Sequence, residues 1–162
     1  MNLIGQIITA MIAYYAGDVR RINHFLKVYG FAKAIGEMEG LDESTQEIIE
    51  IAALTHDIGI KNSEKKYNSS AGNYQQIEGP PEAKKLLAEL GIESGVIDRV
   101  CWLIAHHHTY TDIQGIDYQI LVEADFLVNF YEDDMSIDSV HSAGGKMFKT
   151  LSGKAILNAI YS

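Results

Sequence analysis

An all-α fold, with about seven helices in a non-bundle arrangement, is the expectation for this 162-residue chain. Three observations carry it. Apolar residues recur with a helical period along most of the sequence. The only two prolines, Pro80 and Pro81, are adjacent, so long stretches of potential helix run without interruption. No segment alternates apolar and polar residues in the way a half-buried strand requires. The hydrophobic fraction is 47% and the charged fraction 22%, ordinary for a soluble globular protein. The length suits one domain, residues 1–162, with a sizeable core and no internal repeat.

Near the N-terminus Ile4, Ile7, Ile8, Met11, Ile12 and Tyr15 form one face of an amphipathic helix. A second helix is expected from Asp18, as N-cap, to Glu39. It carries one stripe of Ile22, Phe25, Leu26 and Tyr29 and another of His24, Val28, Phe31 and Ile35, and ends at Gly40. A third runs from Asp42-Glu43-Ser44 to His56-Asp57. Residues 59–79 are polar and rich in Gly, Ser and Asn and read as a long loop. A short helix follows over Glu82–Leu90, with the prolines at its first turn. After Gly91, helices are expected over Glu93–His107 and Tyr118–Tyr131. Ser136–Phe148 and Leu151–Tyr161 carry weaker helical patterns, split by Gly144-Gly145 and Ser152-Gly153.

The net charge of −9 argues against a nucleic-acid polymer as partner, since phosphate contacts need basic surface. It leaves room for a small phosphate ester, because a metal supplies positive charge locally. The single Cys101 excludes an internal disulfide and reads as a buried, inert thiol. No Lys or Arg precedes Asp18, so the N-terminal helix lacks the charged start of a signal peptide, and it is short for a membrane span. A cytoplasmic protein with no membrane partner is expected. The oligomeric state is not legible.

The most informative residues are His56 and Asp57, which close the apolar run Ile48–Thr55. Burying both is costly unless something pairs them, and a divalent metal pairs both at once. Asp125 poses the same problem on another helix, where its same-face neighbours Leu121, Val122 and Val128 are apolar. In His106-His107-His108, helical phase against Val96, Val100, Leu103 and Ile104 turns His107 inward. The same phase sets His108 at the edge of that face and His106 toward solvent. His24 lies on an apolar helix face, where a core histidine and a ligand are both admissible readings.

The order His24, His56-Asp57, Asp125 resembles the HD superfamily of metal-dependent phosphohydrolases. The resemblance spans roughly residues 18–131 and includes Ala52-Ala53-Leu54-Thr55-His56-Asp57-Ile58-Gly59, which is similar to the family's helix-ending motif. It implies His24, His56, Asp57 and Asp125 as metal ligands, with Asp57 able to bridge two ions and His56 and Asp57 at the catalytic centre. The His107-His108 pair resembles that of relatives holding two metals, including the HD-GYP branch. Glu78 falls where many two-metal relatives place a histidine; it is either an oxygen ligand or a loop carboxylate. Gly59 would let the chain turn sharply away from the site. Arg20 and Arg21, one turn before His24, and Lys61 and Lys65, after the doublet, are candidates for contacting a phosphate. The implied cofactor is one or two divalent transition metal ions (Fe, Mn, Zn, Ni or Co), with Mg also admissible. The implied activity is hydrolysis of a small phosphate ester or phosphoanhydride, a nucleotide being the expected class, by a metal-activated water. A di-iron oxygenase and a non-catalytic, metal-containing nucleotide sensor are the alternatives.

Overall fold

The computed structural model describes residues 2–162. Nine α-helices, and no strands, occur among the described residues: α1 Leu3–Tyr14, α2 Val19–Met38, α3 Glu43–Thr55, α4 Ile60–Tyr67, α5 Gly72–Glu89, α6 Ser94–His106, α7 Ile116–Glu132, α8 Ile137–Met147 and α9 Leu151–Ile160. The expected all-α class holds.

The helix ends follow local chemistry. Side-chain oxygens of Asn2, Asp18, Asp42, Ser136 and Thr150 accept from otherwise orphaned N–H groups in the first turns of α1, α2, α3, α8 and α9. At the end of α2, Gly40 takes a φ of +72°. Its N–H donates to Glu37 O and that of Leu41 to Gly36 O, a Schellman motif that needs the left-handed residue. Gly91 closes α5 in the same way, with Ile92 N donating to Leu87 O.

α3 is the centre of the molecule, packed by α1, α2, α6 and α7. Every residue from Ile49 to Thr55 is buried, which accounts for an apolar run with no polar face. α2 and α7 also pack on each other, and α5 packs on both α4 and α6. The core residues from all these helices form one cluster, including Phe25, Ile35, Ile51, Leu54, Leu103, Leu121 and Phe130.

The structure corrects three expectations. Residues 59–79 are not a loop: α4 and the first part of α5 occupy most of them, and α5 continues through Pro80-Pro81 rather than starting there. Two features hid this. α4 buries only Ile60 and Ser63 in an otherwise polar sequence, and interior proline is normally a helix breaker. Gly59 is not there to turn the chain, since its φ of −74° is ordinary helix. It is there because α5 presses against it: a Cβ on Gly59 would lie 2.6 Å from Gly79 N and 2.7 Å from Gln75 O. The glycines of α8 and α9 likewise serve close packing rather than breaking helices. A Cβ on Gly144 would meet Leu157, and one on Gly153 would strike the buried Glu123 carboxylate. That carboxylate accepts from Thr150 Oγ1 and from the backbone N–H groups of Lys149 and Thr150, pinning α9 to α7.

Candidate metal centre

Four helices deliver polar side chains to one point beside the core. α2 supplies His24, the C-terminal end of α3 supplies His56 and Asp57, that of α6 supplies His107 and His108, and α7 supplies Asp125. Helix C-termini carry partial negative charge, so two of the four approaches favour a cation. His24, His56, His107 and Asp125 are buried, and Asp57 is nearly so.

The three inner histidines are oriented alike. His24 Nδ1 bonds Glu132 Oε1 at 2.6 Å, His56 Nδ1 bonds Ala53 O at 2.7 Å, and His107 Nδ1 bonds Ile104 O at 2.7 Å. Each acceptor fixes the hydrogen on Nδ1 and leaves the Nε2 lone pair facing the shared space. His24 Nε2 lies 3.3 Å from His56 Nε2. It lies 3.2 Å from Asp57 Oδ2 and 3.2 Å from Asp125 Oδ1, and His56 Nε2 is 3.4 Å from each of the same two oxygens. Two imidazole lone pairs at that distance repel unless a proton or cation lies between them. Donor atoms held about 2.1 Å from a tetrahedral ion are separated by about 3.4 Å. Asp125 Oδ1 and His107 Nε2 are buried without a hydrogen-bond partner, which is costly in a protein interior and natural for ligand atoms. The donor set fits a divalent transition metal.

Without a metal the charges hold one another. Burial disfavours the charged form of His24, but its contacts with the Asp125 and Asp57 carboxylates outweigh it and raise the imidazole to about 10. His56 is raised as well: desolvation is again outweighed, here by the Asp57 and Asp125 charges. Asp57 and Asp125 are pushed down against their own desolvation, His56 being the largest stabilising neighbour of each. Tyr15 OH donates to Asp57 O at 2.8 Å and fixes the turn that carries the carboxylate.

Asp57 turns its other oxygen the opposite way, with Oδ1 3.4 Å from His107 Nε2. Asp57, His107 and His108 form a second group with potential donor atoms mutually within 4.8 Å. His108 is pulled to about 4 by burial and by the neighbouring His107, so it stays neutral. Its Nε2 meets Gln75 Oε1 at 2.9 Å, and Gln75 is held by donating to Ser70 O at 2.6 Å.

The remaining candidates separate. Glu78 is buried but ion-paired to Lys66 at 2.5 Å and belongs to neither donor group; Gln75, one helical turn earlier on α5, faces His108 instead. His106 stacks on Trp102 at 4.0 Å with Nδ1 bonded to Trp102 O, away from the centre. Lys61 donates to Tyr14 O and lies over the Tyr14 ring, and Lys65 is exposed in the last turn of α4. Arg21 is ion-paired to Asp18 and Glu64. Arg20 and Arg21 do line a cavity of about 350 Å³ beside the centre, with His24, Asp57, Ser70, Asn129 and Glu132. Cys101 is half-buried, donates to Pro80 O and is raised by burial. Sequence reasoning missed Glu132, although it lies seven residues after Asp125 on the same face of α7, and missed Gln75, which fell in the supposed loop.

The geometry thus defines an all-helical protein with a convergent His/Asp cluster able to hold a divalent metal. The HD domain model matches residues 21–140, and the chain belongs to the HD-domain family. A crystal structure described as a predicted HD superfamily hydrolase, from an uncultured Thermotogales bacterium, shares the fold with a TM-score of 0.70. It is 21% identical and covers 99% of this chain and 91% of that one. No curated protein matches the chain. Among the described residues, no helix is long and apolar enough to cross a membrane.

Proposed function

We propose that this protein is a metal-dependent phosphohydrolase acting in the cytoplasm as a single domain on a small phosphate ester or phosphoanhydride, with nucleotides the first class to test. The observation that carries the reading is the convergence of His24, His56, Asp57 and Asp125 donor atoms beside a cavity that also presents Arg20. A divalent ion held by these residues supplies a bound water of lowered pKa and an electrophilic contact for a phosphoryl oxygen. The chain's own contribution is orientation. Fixed acceptors on three Nδ1 atoms keep the Nε2 atoms pointed inward. Asp57 spans the two donor groups through its two oxygens.

Substrate recognition falls to Arg20 more than to Arg21, whose charge is already met by Asp18 and Glu64. Ser70 and Asn129 add neutral polar groups to the cavity wall. The acidic surface disfavours a nucleic-acid polymer.

The test is phosphate release from nucleoside mono- and diphosphates and sugar phosphates. Protein purified without chelator is used, before and after loading with Mn, Co, Zn, Ni or Fe(II). Metal-dependent release supports the reading. Oxygen-dependent turnover of a non-phosphorylated compound, or tight nucleotide binding with no turnover under any metal, overturns it.

A further inference from the structure

We infer that Glu132 is a positioning residue for the metal centre, setting the tautomer and donor strength of His24 through a charged hydrogen bond that neither His56 nor His107 possesses. This rests on the metal-centre reading above. Glu132 Oε1 accepts from His24 Nδ1 at 2.6 Å, and Oε2 accepts from Lys27 Nζ at 2.7 Å. The carboxylate is 11% exposed, so its charge acts where water screens poorly.

The contrast within the site is the core of the inference. His56 and His107 donate to backbone carbonyls, Ala53 O and Ile104 O, which are neutral acceptors built into their own helices. Through Nδ1, only His24 of the three donates to an anion, and that anion comes from a different helix. α7 therefore reaches the centre twice: directly through Asp125, and two turns later through Glu132 behind His24. α2 answers with His24 and, one turn on, Lys27.

A carboxylate behind an imidazole raises its basicity and fixes its ring plane, and such partners typically govern metal affinity by 10–100-fold. Lys27 pairs with the second oxygen and offsets the charge that Glu132 presents to the adjoining cavity, which it also lines. There an unpaired carboxylate would repel an anionic substrate.

Cobalt(II) binding decides the matter, because it reports on the centre without activity. Dissociation constants come from competition with a chromophoric chelator, and visible absorption reports ligand geometry. Glu132→Gln keeps an acceptor but removes the charge, so affinity falls about 10-fold with a shifted cobalt spectrum. Glu132→Ala falls further, toward 100-fold, and Glu132→Asp recovers part of the loss. Wild-type affinity and spectrum in folded Glu132→Gln would overturn the inference while leaving the metal centre intact. No cobalt binding by the wild type would overturn both. Should Glu132→Ala fail to fold, as judged by circular dichroism, the Gln and Asp variants decide alone.

Discussion

Asp57 is the residue both donor groups share, with Oδ2 toward His24 and His56 and Oδ1 toward His107. Asp57→Ala should lower phosphate release by about 1000-fold or more while leaving helical circular dichroism unchanged, since the core contacts of α3 remain. Wild-type turnover of a confirmed substrate by this variant would refute the assignment. The His run gives a sharper comparison. His107→Ala should reduce bound metal per chain, whereas His106→Ala should not, because His106 is engaged with Trp102 outside the centre. Metal analysis of both variants checks this, and equal loading in all three proteins would restrict the site to His24, His56, Asp57 and Asp125. Linkage adds a pH signature for the metal-free protein. His24 is raised from 6.5 to about 10 in the folded state. Its contribution to stability is therefore fully present below pH 6.5 and lost as pH rises through about 10. Urea denaturation in chelator across that window should show falling stability. His56-Asp57, His107 and Asp125 stood out in the sequence as polar side chains at the end of an apolar run or on an apolar helix face, whereas His24 read equally as a core histidine and only the family resemblance marked it as a ligand. Glu132 did not stand out, because a carboxylate at a helix end looks like ordinary solvated charge.

At the level of elements, the sequence was readable where burial is one-sided and a side chain caps the first turn, as in α2 and α6, and where a long apolar run is buried on all sides, as in α3 and α7. It misled at α4 and α5, where the deciding contact is long-range. Gly59, one residue before α4, lies against the backbone of Gln75 and Gly79 in α5, and Gly79 in turn lies against Ile104 of α6. No local pattern encodes that approach. It matters for the site because Gly59 follows His56-Asp57 by two residues and Gln75 faces His108. Gly59→Ala forces backbone rather than a flexible side chain to move. It should cost about 1–3 kcal/mol in urea denaturation and also weaken metal binding, unlike Gly145→Ala, where no atom lies within 4 Å of the added methyl. A stability of Gly59→Ala equal to wild type would show that α5 can shift freely.

At the scale of the whole molecule, the centre is a cross-link between helices far apart in sequence. His24, Asp57, His107 and Asp125 tie α2, α3, α6 and α7 at the edge of a core that is already closed by apolar packing. The two roles are separable: packing makes the fold, and a metal bound by these residues would add stability by mass action on the native state alone. Metal at about 1000 times its dissociation constant contributes roughly 4 kcal/mol, which for a domain of this size raises Tm by about 8–16 °C. Chelator should therefore lower Tm by that margin without abolishing the helical signal at 25 °C, and added metal should restore it. Asp57→Ala should melt at the same temperature with chelator and with metal. At neutral pH it should be less stable than the metal-free wild type, because the raised His24 and His56 lose one of the two carboxylates that hold them. Calorimetry of both proteins in both conditions checks the whole set. A metal-free wild type that is unfolded at 25 °C would show instead that the cross-link, rather than the apolar core, holds the four helices together.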